Sequence, residues 1–144
     1  MAVERHNARL KEELRCLKRS RGPASAKEWS TRLRTYKPWG YCHCTRCQHW
    51  TGSSLAGVVV AKENFNVTKG EELVKTYESH LAPRNFCSNC GSSIFDDLGD
   101  IYFVAAGLIN DLDMKPSFHQ QVAYKASWHE IGDDAPQFDE MPPG

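Results

Sequence analysis

Cysteines are the residues of this chain best suited to chemistry, because five of the six fall into two tight clusters. The first cluster reads Cys42-His43-Cys44-Thr45-Arg46-Cys47, and the second reads Cys87-Ser88-Asn89-Cys90-Gly91. Thiolates two or three positions apart can converge on one metal ion, and zinc is the ion that such thiolate sites most often hold. The predicted metal ligands are therefore Cys42, Cys44, Cys47, Cys87 and Cys90.

The five clustered cysteines can be divided between metal sites in two ways. Four of them can close one tetrahedral site, which leaves a single thiol over. In the other division, Cys42, Cys44 and Cys47 form an incomplete tetrahedron, and Cys87 and Cys90 supply two ligands of a second site. An open fourth position distinguishes a catalytic zinc site from a structural one, because a water or a substrate thiol can bind there. A thiol bound at such a position loses its proton near neutral pH.

Several other residues have less specific roles. Gly91 permits the turn with positive φ that points backbone amides at the sulfurs of the second cluster. His43 and His49 flank the first cluster and can ligate a metal, although a histidine beside a metal site is more often a packing or surface residue. Trp128 and His129 can line a pocket, although a tryptophan in a β protein more often belongs to the core. We identify no general base from the sequence.

The size of the chain, 144 residues, fits one domain with a buried core. It has no apolar run approaching the roughly 18 residues that a membrane crossing requires. Its N-terminus lacks the apolar segment of a secretory signal. We therefore expect a reducing location, the cytoplasm or alternatively the nucleus. In such a compartment clustered cysteines favour metal binding over disulfides.

The formal net charge of zero conceals a division of the chain into two parts. Residues 1–37 contain 11 Lys and Arg against 4 Asp and Glu, whereas residues 38–144 contain 7 against 14. We interpret residues 1–37 as a basic, partly helical extension and residues 38–144 as the zinc-binding β domain. A basic arm can contact nucleic acid, but a solvated extension that folds back on the acidic body is the favoured interpretation.

The pattern of apolar residues predicts a helix followed by a mainly β domain. From Glu4 to about Arg19, Leu10, Leu14 and Leu17 form one narrow helical stripe. After Gly40 the helical period disappears, and short apolar runs between turn residues predict strands. The predicted strand segments are Ser54 to Ala61, Phe65 to Val67, Leu73 to Tyr77, the residues around Phe86, Ser93 to Phe95, Ile101 to Ala106 and Val122 to Tyr124.

The cysteine clusters and the chain around them resemble a known family. Tyr41-Cys42-His43-Cys44-Thr45-Arg46-Cys47 followed by Thr51-Gly52-Ser53 resembles the C-H-C-x-x-C and T-G-S segment of the glutathione-dependent formaldehyde-activating enzyme family, which includes centromere protein V. The resemblance covers about residues 40–142 in order. Its further segments are Val59-Val60, Glu63-Asn64-Phe65, Gly70, Thr76-Tyr77-Glu78-Ser79, Phe86-Cys87-Ser88-Asn89-Cys90-Gly91-Ser92, Val104-Ala105-Ala106-Gly107-Leu108, Ser127-Trp128-His129-Glu130-Ile131 and Pro136-Gln137-Phe138-Asp139-Glu140-Met141-Pro142.

The resemblance implies a mainly β fold of the Mss4-like type with up to two zinc sites. It implies that Cys42, Cys44 and Cys47 carry a catalytic zinc and that Cys87 and Cys90 carry half of a structural zinc. The implied activity is that of a carbon–sulfur lyase, which joins or releases a carbonyl carbon at a thiol, as in S-hydroxymethylglutathione. The implied partners are a small-molecule thiol and an aldehyde, with glutathione as the co-substrate.

One feature of the family is missing from this chain. Family members normally begin with a strand carrying G-x-C-x-C-G, whose two cysteines complete the structural zinc, but the only thiol upstream of the first cluster is Cys16. A lone cysteine on a helix is more typical of a small apolar residue than of a ligand. We therefore consider that the structural zinc is lost or incomplete, with Cys87 and Cys90 taking ligands from the first cluster. The alternatives to a lyase are a non-catalytic binding module stabilised by zinc and a degenerate family member.

Overall fold

The fold is mainly β, as the sequence predicts. The structure is a computed structural model, which describes two strands near the N-terminus together with residues 38–109 and 115–143. In chain order the strands are β1 (Glu12–Arg15), β2 (Ser30–Leu33), β3 (Trp39–Cys42), β4 (Leu55–Ala61), β5 (Phe65–Lys69), β6 (Val74–Tyr77), β7 (Arg84–Cys87), β8 (Ser93–Asp97), β9 (Ile101–Ala105) and β10 (Phe118–Gln120). The α-helix α1 is Thr45–Thr51, and short 3-10 helices cover Lys62–Asn64, Glu71–Leu73, Ala106–Leu108 and Val122–Tyr124.

A seven-stranded sheet forms the body of the molecule, with the strand order β10-β3-β4-β9-β8-β7-β6. Neighbouring strands are antiparallel except β10 and β3, which are parallel. The central strand β4 carries the apolar run predicted as a buried strand, and its side chains Val58 and Val60 are fully buried. Val59, between them, is only partly buried, which is the alternation expected of a strand with two different faces.

The core consists of two groups of buried residues. The larger group lies around Val58, Val60, Ile94 and Val104 and includes Cys87 of the second cluster. The smaller group consists of Cys42, Cys47, Leu55 and Phe103, so two cysteines of the first cluster belong to the packed interior. One cysteine of each cluster, Cys42 and Cys87, therefore lies in a strand of the same sheet.

The strands β1 and β2 form a second, antiparallel sheet with β5. The helix predicted from Glu4 to Arg19 is therefore wrong over Glu12–Arg15, because the backbone there pairs with Ser30–Leu33. Three leucines in a narrow stripe are a weak helical signal, and pairing with a neighbouring strand satisfies the same backbone groups. The rest of the predicted helix, including Cys16, lies outside the described residues.

The structure also differs from the sequence prediction near residue 120. Val122–Tyr124 is a 3-10 helix rather than a strand, because Gln121 adopts a left-handed conformation with φ of 58° and the amide of Tyr124 donates to the Gln121 carbonyl. The strand of this region is β10, which comes just before it and was not predicted. Helix α1 was not predicted either. No helix in the described parts of the chain is long and apolar enough to span a membrane.

Candidate metal centre

The first cysteine cluster occupies the junction between a strand and a helix. Cys42 is the last residue of β3 and pairs with Leu55 of β4 on one side and Gln120 of β10 on the other. Cys44 is the N-cap residue of α1, and Cys47 lies in the first turn of that helix. Two strands therefore fix the position of Cys42, and the helix start fixes the positions of the other two cysteines.

Helix α1 is short, and its two ends are held by specific contacts. Cys44 has an extended backbone, with φ of −63° and ψ of 152°, and its sulfur accepts the backbone N–H of Cys47 at 3.4 Å. A thiol thus takes the capping role that Ser, Thr, Asp or Asn usually plays. At the other end Gly52, with φ of 81°, donates its amide to the Gln48 carbonyl. The Gln48 side chain donates to the carbonyl of His43, which ties the helix to the preceding loop.

The three sulfurs of the first cluster form one group that can hold a metal ion. The Sγ atoms of Cys42, Cys44 and Cys47 all lie within 4.8 Å of one another, and none of the three is in a disulfide. Because the Cys42 and Cys47 thiols donate to its sulfur, the pKa of Cys44 lies well below that of an ordinary thiol. The hydrogen bond with Cys44 raises the pKa of Cys42, and the hydrogen bonds with Cys42 and Cys44 raise the pKa of Cys47. Three soft donors gathered this closely fit a thiolate-preferring ion such as zinc.

A buried ion pair adjoins the cluster. Arg84 of β7 and Asp96 of β8 are direct cross-strand partners, and Arg84 Nη1 donates to Asp96 Oδ2 at 3.1 Å. The other terminal nitrogen, Nη2, donates to Cys47 Sγ at 3.6 Å. Burial opposes the charge of Arg84, but its bond to the Cys47 sulfur and the Asp96 charge raise its pKa. Burial raises the pKa of Asp96 to about 6, although Arg84 and Arg46 act in the opposite direction.

A chain of hydrogen bonds supports the loop residue between Cys42 and Cys44. His43 is 1% exposed, and its Nε2 lies 2.9 Å from Nδ1 of His119. His119 Nε2 in turn lies 3.1 Å from both carboxylate oxygens of Asp133. Burial, followed by the nearby charges of His119, His129 and Lys125, lowers the pKa of His43 to about 4. The sequence suggested His43 as a ligand or a packing residue, and its contacts are those of a packing residue.

A cavity of about 350 Å³ lies beside the three sulfurs. All three cysteines line it, together with Arg84 and Asp96. Four exposed apolar residues, Leu81, Leu98, Tyr124 and Met141, also line it. The centre therefore combines a possible metal-binding group, a buried charged pair and room for a small molecule.

The second cluster has a different environment. Cys87 is fully buried, whereas Cys90 is exposed and its Sγ lies 3.0 Å from Ser92 Oγ. Gly91 has φ of 75°, as predicted, and its amide donates to the Cys87 carbonyl. Within the described residues, the group of three or more metal-binding side chains contains the first cluster and does not include Cys87 or Cys90. Their role as zinc ligands stays a prediction.

The remaining sequence candidates lie around the centre rather than in it. His49 is exposed and lines a separate groove beside Trp50 and Tyr77. Trp128 is 66% exposed, so it is not a core residue. His129 packs edge-on against His43 at 5.0 Å between ring centroids.

Sequence reasoning missed the polar residues that surround the sulfurs. These residues come from β7, β8, β10 and the C-terminal segment, so only the strand order brings them to the cluster. One signal was present in the sequence: Asp96 directly follows the apolar residues Ile94 and Phe95 at the end of a predicted strand. The missed residues are Arg84, Asp96, His119 and Asp133.

Comparisons with known proteins agree with this description. A fold of the same type occurs in a solved protein of Rhodobacter sphaeroides, with a TM-score of 0.51 and 17% identity over 88% of this chain and 99% of the other. Among curated proteins, no sequence matches this chain significantly. The family model described as glutathione-dependent formaldehyde-activating enzyme matches residues 31–124, which include both cysteine clusters. The chain therefore belongs to the glutathione-dependent formaldehyde-activating enzyme family.

Proposed function

We propose that this protein is a zinc-dependent carbon–sulfur lyase that acts on the adduct of a thiol and an aldehyde. The observation that supports the proposal most strongly is the group of three sulfurs within 4.8 Å of one another, beside a cavity of about 350 Å³. Membership of the family supports this choice of reaction class. Cys42, Cys44 and Cys47 would hold the ion, and glutathione is the proposed co-substrate.

The proposed reaction makes or breaks one carbon–sulfur bond. In the forward direction the sulfur of the thiol attacks the carbonyl carbon of the aldehyde, and the proton lost by the thiol ends on the former carbonyl oxygen. The product is a hemithioacetal, and the reverse reaction returns thiol and aldehyde without any oxidant or reductant. A zinc ion held by Cys42, Cys44 and Cys47 would favour the thiolate form of a thiol bound to it.

The residues around the sulfurs have supporting roles in this proposal. Arg84 donates to Cys47 Sγ and thereby stabilises negative charge on a ligand sulfur. His43, held by His119, fixes the loop between two ligands, so that the cysteines keep their spacing. Phe103 and the apolar wall of the cavity restrict water around a bound adduct.

Two finer assignments belong to the same proposal. We assign the fold to the Mss4-like type, and we assign Cys87 and Cys90 to a structural zinc site that is incomplete in this chain. Within the described residues no further ligands complete that second site. A reducing compartment, the cytoplasm or the nucleus, would keep these thiols available for metal.

Zinc content tests the metal assignment. Freshly purified protein is expected to contain one zinc per chain at the first cluster, and Cys44→Ala is expected to lose it. Cys16→Ala is the matched control, because it removes the thiol that lies outside both clusters. Two zinc ions per chain would show that Cys87 and Cys90 also bind one. Protein without zinc, even after reconstitution with excess metal, would contradict the proposal.

Turnover tests the reaction. The zinc-loaded protein is incubated with glutathione and a panel of aldehydes, and the approach to hemithioacetal equilibrium is followed by exchange NMR. We expect acceleration that Cys44→Ala abolishes and Cys16→Ala retains. If the zinc-loaded protein gives the uncatalysed rate with every aldehyde, the chain is a non-catalytic family member.

A further inference from the structure

The carboxylate of Asp96 is only half satisfied by the protein. Its residue is 5% exposed, and Oδ2 accepts a hydrogen bond from Arg84. The other oxygen, Oδ1, is buried and accepts no hydrogen bond from any residue that the structure describes. A buried carboxylate oxygen without a donor is costly, so such atoms in native proteins usually serve a purpose. Because Asp96 lines the cavity beside the cysteines, a bound molecule can provide the missing donor.

Asp96 is also close to the sulfurs. One guanidinium group, that of Arg84, joins Asp96 Oδ2 to Cys47 Sγ through its two terminal nitrogens. The Asp96 carboxylate and the Cys47 sulfur are thus separated by one guanidinium group and its two hydrogen bonds. Asp96 and the three cysteines line the same cavity, so a molecule whose sulfur lies at the cluster occupies a cavity that Asp96 also lines.

The exposed part of the cavity wall has the opposite character. Leu81, Leu98, Tyr124 and Met141 are 70%, 46%, 55% and 59% exposed, although all four line the same cavity. Apolar side chains of this size that remain uncovered beside a cavity are typical of a binding site for a partly apolar molecule. The cavity is therefore lined both by the sulfurs with their charged pair and by exposed apolar side chains.

We propose, on the basis of the proposed function, that Asp96 Oδ1 accepts the hydroxyl hydrogen of the hemithioacetal and that the preferred aldehydes carry an apolar substituent. The hydroxyl group is what distinguishes the adduct from a simple thioether, so Asp96 is the residue that recognises it. The apolar wall contacts the substituent. In this arrangement Arg84 holds the carboxylate through Oδ2 and leaves Oδ1 for the substrate.

Equilibrium binding tests the inference separately from catalysis. The probes are 2-mercaptoethanol and 1-propanethiol, which differ by a hydroxyl in place of a methyl group, and 1-sulfanylhexan-2-ol, which adds an apolar chain. Each is titrated into the zinc-loaded protein by calorimetry. Hydrogen bonds to charged groups predict that 2-mercaptoethanol binds about tenfold more tightly than 1-propanethiol. Burial of about two of the four added carbons against the half-exposed wall predicts about a further tenfold for the longer hydroxythiol.

Two variants assign the effects to the residues. Asp96→Asn is expected to reduce the hydroxyl-to-methyl ratio to about twofold or less, because the neutral amide is a weaker acceptor. Asp97→Asn is the matched control, since the neighbouring carboxylate pairs with Lys62 at the surface, and its ratio is expected to equal that of the wild type. Leu81→Ser is expected to reduce the gain from the longer chain without changing the hydroxyl ratio.

The ratio of the affinities for 2-mercaptoethanol and 1-propanethiol is measured within one protein. A variant that binds both thiols more weakly by the same factor therefore keeps the same ratio. Equal affinity of the unmodified protein for 2-mercaptoethanol and 1-propanethiol would overturn the role of Asp96, even if Asp96→Asn did not fold. An unchanged ratio in folded Asp96→Asn would overturn it as well. Preference for the hydroxythiol in a protein that catalyses nothing would support the binding role and refute the lyase. Turnover without this preference would support the lyase and refute the binding role of Asp96.

Discussion

Replacing Arg84 by methionine tests whether the buried ion pair holds the centre together. The side chains of Arg84 and Asp96 are 5% and 8% exposed, and their charged atoms lie 3.1 Å apart. Arg84→Met keeps much of the side-chain volume but leaves the Asp96 carboxylate buried without its cation. It also removes the donor to Cys47 Sγ. Breaking one half of a buried pair typically costs about 3–5 kcal/mol of unfolding free energy.

The unfolding free energy is measured by urea denaturation of zinc-saturated protein at pH 7. The first control is Lys62→Met, which breaks an ion pair whose side chains are 36% and 30% exposed. Breaking such a surface pair is expected to cost far less than breaking the buried pair, because solvent screens exposed charges. The second is the double replacement of Arg84 by Met and Asp96 by Leu, which removes both charges. It is expected to be more stable than Arg84→Met alone, because no buried charge is left unpaired.

The pH dependence of the Arg84→Met defect has a definite sign. Burial already raises the pKa of Asp96 to about 6 in the folded protein, against 3.8 as the ordinary value, and the loss of Arg84 removes a charge that lowers it. Below the folded-state pKa the carboxyl group is neutral, so the penalty of the unpaired charge disappears. The stability difference between wild type and variant should therefore shrink as the pH falls from 7 towards 5. A defect no larger than that of Lys62→Met, or one that grows on acidification, would refute the assigned role of the pair.

Three further changes have expected outcomes. Gly57→Ala should lower the unfolding free energy by about 1–3 kcal/mol in denaturation experiments, because a Cβ there overlaps the ring of Phe103 on β9. Gly107→Ala meets no atom within 4 Å and should change the unfolding free energy by less than about 1 kcal/mol. Asp133→Ala should weaken zinc binding about tenfold in chelator competition, because it releases the histidine chain behind the ligand loop, and the exposed Asp134→Ala should not. Deletion of residues 1–37 should speed amide exchange in β5 and promote aggregation, because it removes the strand that pairs with β5; unchanged exchange there would contradict that pairing.

Local sequence signals were sufficient for the strands of the body and for the sulfur cluster. Apolar runs predicted β4 and β9, which lie side by side in the middle of the sheet. Thiol spacing predicted that Cys42, Cys44 and Cys47 would converge, and their sulfurs do form one group. Both signals depend on residues close together in the chain, which is why they can be interpreted without a fold.

The surroundings of the cluster could not be predicted in the same way. Arg84 is 37 residues from Cys47 along the chain, and His119 is 76 residues from His43. These contacts exist because β10 joins the sheet next to β3 and because β7 and β8 fold back beside the helix, and neither arrangement has a local signature. The N-terminal helix prediction was wrong over Glu12–Arg15 for a related reason, since strand pairing outweighed a weak local preference.

The spacing of the first cluster nevertheless contains more structural information than a list of ligands. In extended chain, side chains two residues apart point to the same side, so Cys42 and Cys44 can face one point only if the backbone across His43 is extended. At a helix start, the side chain of the N-cap residue reaches the backbone amide three residues later, which is the contact between Cys44 Sγ and the amide of Cys47. In the first cluster the C-x-C step thus crosses the end of a strand, and the C-x-x-C step spans the start of a helix. This explains why α1 forms without a helical pattern of apolar residues: the sulfurs themselves cap and orient it.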